Sequence, residues 1–116
     1  MLNILLAPYF YVEDVVKLVM ERLKRKFSRV YVFGSRVKGT ARPDSDIDVV
    51  VVDPSFRGKS VLVRVSDVLS EVWDIVEEYG VDIDVIALTP EEFSDRVSRR
   101  TNIIGYIFSR GEVVEA

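Results

Sequence analysis

The chain has 116 residues, of which 48% are hydrophobic and 30% charged, and its formal net charge is −3. This length and composition predict one folded domain, residues 1–116, with a single core, and the acidic balance gives no general attraction for nucleic acid. Cysteine and histidine are both absent, which excludes disulfides, zinc–thiolate sites and catalysis by thiol or imidazole, and leaves carboxylates as the candidate metal ligands.

The first predicted element is an amphipathic helix from about Val12 to Lys26, where apolar residues recur at three- and four-residue spacing. Arg29 to Phe33, rich in β-branched and aromatic residues, is predicted as a strand that Gly34 ends. We interpret Ser35 to Lys38 as one helical turn and Gly39 to Ser45 as a loop.

Asp46 to Val52 is predicted as the second strand, and because it is apolar on both faces after Asp48, it is typical of a central strand covered on both sides. Ser55 to Lys59 is predicted as a polar loop. A long helix is predicted from Val61 to Tyr79, with Gly80 as its stop. The apolar face predicted for it consists of Val61, Val65, Val68, Leu69, Val72, Val76 and Tyr79.

Val81 to Leu88 is predicted as the third strand. Thr89 is a predicted N-cap, and one or two helices should follow it to about Ser109, with a weak point near Thr101-Asn102. Residues 112–116 are expected to form an edge strand. The order of these elements predicts an α/β (α+β) fold in which helices pack on a β-sheet.

Two carboxylates at the start of the second strand suggest a metal site. Residues two apart in a strand lie on the same face, so Asp46 and Asp48 should point the same way. Two adjacent like charges are unfavourable unless a cation joins them. Mg²⁺ is the expected ion, because proteins hold it with one or two carboxylates together with substrate phosphates.

Gly34 and two aspartates of the third predicted strand are further candidate residues of this site. Gly34 lets a backbone approach a phosphate closely, and Ser35 offers a hydroxyl and an N–H to an anion. Unpaired charge is expensive in a buried strand, yet the third predicted strand carries Asp82 and Asp84. A shared cation would remove that cost, and because these two residues fall on one face, the spacing does not choose between them.

Several neighbouring residues allow two interpretations. Arg36, Lys38 and Arg42 either neutralise phosphate charge or face water, with the phosphate role favoured for Arg36. Asp44 follows a proline and is interpreted as a turn residue. Trp73 is expected in the core or at an interface. The segment Tyr9-Phe10-Tyr11 is either a packing cluster or a partner surface.

The sequence says less about binding partners and cellular location than about the candidate site. The best basic patch, Lys24-Arg25-Lys26 with Arg22 and Arg29, is interpreted as the solvated end of a helix. There is no window of about 18 apolar residues to span a membrane, and residues 1–7 lack the charged lead of a signal peptide. We therefore expect a cytoplasmic protein, able to form a homo- or hetero-oligomer.

The segment from Phe33 to Asp48, FGSRVKGTARPDSDID, resembles the nucleotidyltransferase superfamily of the DNA polymerase β type. It is closest to the minimal nucleotidyltransferase (MNT) branch, whose members are often the antitoxins of HEPN–MNT toxin–antitoxin pairs. The resemblance covers roughly Val12 to Phe93. It implies a polymerase β-like fold with a mixed sheet.

The resemblance also implies roles for individual residues. Asp46 and Asp48 would bind two Mg²⁺ ions, and Asp84 would be the third metal-binding carboxylate and would help to deprotonate the attacking hydroxyl. Gly34 and Ser35 would hold the triphosphate of a nucleotide, with ATP expected. The implied enzyme transfers AMP to a tyrosine of a partner HEPN toxin and so acts as an antitoxin.

Two other functions are compatible with the sequence. One is a non-catalytic module that keeps the fold and neutralises a toxin by contact. The other is a small-molecule nucleotidyltransferase, although the chain has no evident substrate domain.

Overall fold

The computed structural model describes residues 7–34, 46–99, 101–111 and 113–116, with side chains described from Asp14 onward. The described helices are α1 (Ala7–Lys24), α2 (Val61–Tyr79), α3 (Pro90–Val97) and α4 (Ile103–Ser109). The described strands are β1 (Arg29–Phe33), β2 (Ile47–Val52), β3 (Ile83–Leu88) and β4 (Val113–Glu115), and a short 3₁₀ turn spans Pro54–Phe56.

The four described strands form one mixed sheet in the order β3-β2-β1-β4. β1 runs antiparallel to β2 and to β4, whereas β2 and β3 are parallel. β2 is central and apolar, and all of its residues except Asp48 are buried. The sheet packed by helices confirms the predicted fold class and the prediction that β2 is covered on both sides.

Each face of the sheet packs against a different pair of helices. α1 and α2 cover one face, where Val49 and Val51 of β2 meet residues such as Leu23 and Val72 in the larger core cluster. On the other face, α3 and α4 cover β1 and the later parts of β2 and β3. The buried residues of this second core cluster are Tyr31, Val50, Val52, Leu88, Phe93 and Ile104.

Aromatic rings close the second core. Tyr31 stacks on Phe93 with ring centroids 5.4 Å apart, and Phe108 meets the Tyr31 ring edge-on at 5.0 Å. Such edge-to-face and offset pairs add about 0.5–1.5 kcal/mol beyond the area they bury. This cluster anchors the two short C-terminal helices to the sheet.

Local capping signals fix the helix ends. The Ser60 side chain accepts a hydrogen bond from the Val63 N–H at the start of α2, and Gly80 ends that helix with φ +63°. Thr89 and Glu92 form a capping box at the start of α3, and Asn102 caps α4. The predicted stop at Gly80, the cap at Thr89 and the break near Asn102 are therefore confirmed.

Some predicted boundaries and burial assignments are wrong. α1 begins at Ala7 rather than near Val12, and β2 and β3 begin at Ile47 and Ile83, so that Asp46 and Asp82 precede the strands. The segment predicted as a polar loop contains Phe56, which is fully buried and lies 5.4 Å from the Phe27 ring.

The predicted apolar face of α2 is wrong at its first residue. Val61 is 74% exposed because it lies in the first turn, beyond the sheet. The buried residue of that turn is Arg64. Its guanidinium donates to the Lys59 and Ala87 carbonyl oxygens at 2.9 and 3.2 Å and to Glu92 at 2.6 Å. Arg64 thereby ties α2 to β3 and α3.

Candidate functional site

Strand register places two predicted site residues, Asp48 and Asp84, side by side. Asp48 lies opposite Phe33 on one neighbour and opposite Asp84 on the other. Residues in register on adjacent strands project from the same face of a sheet. Asp48 and Asp84 therefore share the face that α3 and α4 pack against, at a strand spacing of about 4.8 Å.

Asp48 and Asp84, together with Gly34 at the end of β1, are called the acidic row below. The row lies at the end of the sheet face that the described helices leave uncovered. α3 and α4 cover the far ends of the strands, at Val52 and Leu88. Asp84 is exposed and Asp48 is half-buried. Solvent and a substrate can therefore reach both carboxylates.

Gly34 closes the row on the β1 side. It follows the last residue of β1 and has φ +83°, a conformation that L residues adopt at a cost. A Cβ placed on Gly34 would collide with Oδ2 of Asp48. The Asp48 carboxylate thus occupies the space that a side chain would need, so a residue other than glycine fits here only if that carboxylate moves.

The starts of β2 and β3 bring two further carboxylates to the same edge. The Ile47 N–H donates to the Asp82 carbonyl oxygen at 2.9 Å, which continues the ladder one step before the two strands. Asp46 and Asp82, both exposed, precede the strands at this level. The register therefore sets Asp84 beside Asp48, whereas Asp82 lies at the level of Asp46.

The chemistry of these side chains suits a hard divalent cation. Carboxylate oxygens are the ligands that Mg²⁺ prefers. Within the described ranges, no group of three carboxylates lies close enough together to hold a metal ion. The register sets Asp48 beside Asp84. That Asp46, Asp48 and Asp84 bind a metal ion stays a prediction.

Part of the predicted site lies outside the described residues. Ser35 and Arg36 belong to it, as do Lys38, Arg42 and Asp44. Their predicted roles toward phosphate or the turn stay predictions. The side chains of residues 9–11 also lie outside the described part.

Two further sequence interpretations concern surfaces away from the acidic row. Trp73 is 51% exposed on α2, so the alternative in which it packs in the core is wrong. In the basic patch, Lys26 donates to Glu71 at 2.9 Å and Arg22 to Asp74 at 2.7 Å. This region is the solvated, ion-paired end of α1, as predicted.

Ion pairs and hydrogen bonds brace the scaffold around the site. The Arg64 guanidinium and, after it, the Thr89 backbone N–H lower the pKa of Glu92. Burial raises the pKa of Asp53, but hydrogen bonds from Ser55 and Ser28 outweigh it, and the net pKa is lowered. The burial of Arg64 was not predicted from the sequence, whereas Asp53 directly before Pro54 is a signal for a turn cap.

None of the helices in the described ranges combines the length and the apolar character that a membrane crossing needs.

The family model of the nucleotidyltransferase domain matches residues 16–108. A crystal structure from Sulfolobus solfataricus, provisionally described as a nucleotidyltransferase, is 22% identical, covers 82% of each chain and has a TM-score of 0.53. At that identity the likeness shows a shared fold. None of the curated proteins matches the chain significantly.

Proposed function

Since this chain belongs to the nucleotidyltransferase domain family, we propose that it transfers AMP from ATP to a hydroxyl group in a Mg²⁺-dependent reaction. The family establishes nucleotide transfer in general. The observation that carries the specific proposal is the row formed by Gly34, Asp48 and Asp84 at the open end of the sheet. The row combines two carboxylates on one sheet face with a glycine, Gly34, that has no side chain to displace the Asp48 carboxylate.

The proposed reaction is an in-line displacement at phosphorus. The acceptor hydroxyl oxygen attacks the α-phosphorus and forms a new P–O bond, while its proton passes to the Asp84 carboxylate. The bond from the α-phosphorus to the oxygen that bridges to the β-phosphorus breaks, and pyrophosphate leaves with the electron pair. Positioning and charge neutralisation carry such chemistry, so the lack of histidine and cysteine is no obstacle.

The proposal assigns the candidate site residues to nucleotide binding, metal binding and proton transfer. Gly34, with Ser35 and Arg36, binds the triphosphate. Asp46, Asp48 and Asp84 would hold two Mg²⁺ ions, which neutralise the charge on the phosphate oxygens. Asp84 additionally accepts the hydroxyl proton.

The proposed acceptor is a tyrosine of a partner protein, a HEPN toxin that the chain would neutralise as an antitoxin. Two features support this assignment. The FGSRVKGTARPDSDID segment resembles the MNT branch, and no helix in the described part of the chain covers Asp84. A bulky protein acceptor can therefore reach the carboxylates.

The test uses the chain with Mg²⁺, ATP labelled at the α-phosphate and the protein encoded by the neighbouring gene. We expect label on a tyrosine of that protein. Asp48→Asn should lower the transfer rate at least about 100-fold, because it removes a charged ligand from the row. Asp82→Asn, the matched control outside the row, should change the rate less than about threefold.

Other outcomes would identify the alternatives. If the double variant Asp46→Ala with Asp48→Ala neutralises the toxin fully and no label appears with either protein, the chain acts by contact. Label on a small hydroxylated compound but not on the partner would point to a small-molecule transferase. Either result would refute the protein acceptor.

A further inference from the structure

The outer edge of β3 is a second feature beside the acidic row. Among the described strands, β3 pairs only with β2. The carbonyl oxygens of Asp82 and Leu88 accept hydrogen bonds from the β2 side, from the N–H groups of Ile47 and Asp53. Because backbone groups alternate in direction along a strand, the even-numbered residues of β3 face β2, and the odd-numbered ones face outward.

The contact of Arg64 confirms this alternation. Its guanidinium reaches the carbonyl oxygen of Ala87, an odd-numbered residue, from outside the sheet at 3.2 Å. Within the described part of the chain, the outward N–H groups of Ile83, Val85 and Ala87 donate no hydrogen bond, and the outward C=O groups of Ile83 and Val85 accept none. Such an edge is a template for one more strand.

The edge leads into a charged groove. This groove lies between the first turn of α2 and the helix α3 and follows residues 85–88 of β3. Its charged lining consists of Lys59, Arg64 and Arg96 with a single carboxylate, Glu92. Lys59 is paired with Asp67 and Arg64 with Glu92, whereas Arg96 makes no salt bridge within the described residues. The groove therefore has a surplus of positive charge at Arg96.

The arrangement of the row restricts the direction from which an acceptor arrives. Gly34, the described residue of the proposed phosphate site, lies on the β1 side of Asp48, and Asp84 lies on the opposite side. In the plane of the sheet, the next position beyond Asp84 is the outer edge of β3. An added strand there would carry a side chain beside Asp84 and would continue into the groove.

We propose that the acceptor is a segment of a partner protein that adds to the outer edge of β3 as an extended strand, with its hydroxyl side chain beside Asp84 and an acidic side chain in the groove near Arg96. This inference rests on the proposed function. The distance from Asp84 to the groove at Leu88 is four residues, or about 13 Å at 3.3 Å per residue. The acidic residue should therefore lie about four positions from the acceptor, where it shares the same strand face.

The first test measures binding without nucleotide, so that it does not depend on catalysis. The probe is a fluorescein-labelled ten-residue peptide with one central tyrosine and glutamates four positions to either side, followed by fluorescence polarisation. Val85→Pro removes the outward N–H, and the β2 ladder keeps its hydrogen bonds. We expect peptide affinity to fall about tenfold, since the hydrogen bond is lost and the proline ring opposes the incoming strand.

Val85→Ala is the matched control. The Val85 side chain packs against the α1–α2 face rather than toward the edge, and alanine keeps the N–H. We expect its affinity to change less than about threefold. Circular dichroism verifies that both variants fold. Equal binding by the two variants, or no binding of the peptide by the unmodified protein, would overturn the proposal.

A charge exchange gives a second test that leaves the backbone intact. Arg96→Glu should weaken the glutamate peptide about fivefold or more and strengthen a peptide with lysines in place of the glutamates. Arg25→Glu, an exposed residue outside the groove, should leave both affinities unchanged. If Arg96→Glu leaves the preference unaltered, the groove does not select acidic residues and the proposal fails.

Activity assays separate this proposal from the reaction itself. Peptide binding that depends on Val85, without any transfer of label, would support edge docking and refute the proposed transfer. Transfer to the natural partner at an undiminished rate in Val85→Pro would support the reaction and overturn edge docking.

Discussion

Gly34→Ala provides the sharpest test of the geometry of the row. Two costs should add. Alanine at φ +83° is in the left-handed region, at about 1–2 kcal/mol. Its Cβ also collides with Oδ2 of Asp48, the far end of a half-buried side chain, and turning that side chain off its rotamer typically costs about 0.5–1.5 kcal/mol. We therefore expect a loss of unfolding free energy of about 1.5–3.5 kcal/mol, measured by urea denaturation.

The chain contains a matched control for the first cost. Gly58 has φ +76°, but a Cβ there meets nothing within 4 Å. Gly58→Ala should therefore lose only the backbone strain, about 1–2 kcal/mol. The difference between the two variants measures the collision with Asp48.

A double-mutant cycle isolates that collision. In a background of Asp48→Ala, the carboxylate is absent, and the cost of Gly34→Ala should fall to that of Gly58→Ala. Nucleotide transfer by Gly34→Ala should also drop at least about tenfold, because the displaced carboxylate belongs to the proposed metal site, whereas Gly58→Ala should keep its activity. Equal stability losses in Gly34→Ala and Gly58→Ala, in both backgrounds, would refute the close contact that the row depends on.

Three other predictions concern the scaffold and the metal. Glu92→Gln should cost about 1–2 kcal/mol, because the buried Arg64 loses its anion. Since the pKa of Glu92 is lowered in the folded state, this stability is present above the unfolded pKa and is lost as the pH falls through the folded pKa. In urea titrations from pH 7 to acid, the free energy of unfolding should therefore decline less steeply in the variant than in the unmodified protein. Parallel declines would contradict this. Phe56→Ala should lower the free energy of unfolding by about 3–5 kcal/mol, because the side chain is fully buried. A loss below about 1 kcal/mol in urea denaturation would instead support the interpretation of this segment as a polar loop. Chelation with EDTA should abolish nucleotide transfer and added Mg²⁺ should restore it; transfer that persists in EDTA would exclude the proposed metal.

Several local features of the fold could be predicted from the sequence because their causes are local. The bounds of β1 and α2 agree with prediction, and so do Gly80 as a helix stop and Thr89 as an N-cap. Each depends on residues within one or two turns of the chain. Strand starts were less well predicted, because pairing with a neighbour decides where a ladder begins.

Long-range packing explains the errors. Phe56 stands among polar residues, and its burial depends on Phe27, which comes from a distant segment. Arg64 is a charged residue on a helix, and its burial depends on acceptors in β3 and α3. Neither partner can be inferred from the residues nearby.

The sequence by itself determined that carboxylates stand at the starts of two apolar strands and that a glycine ends a third, because strand periodicity and turn chemistry are properties of short segments. Only the tertiary structure decided that Asp84 rather than Asp82 lies level with Asp48, and that Asp48 fills the space above Gly34. The register of two strands more than thirty residues apart is set by the packing of both sheet faces, where a shift of one residue would turn every buried side chain to the opposite face.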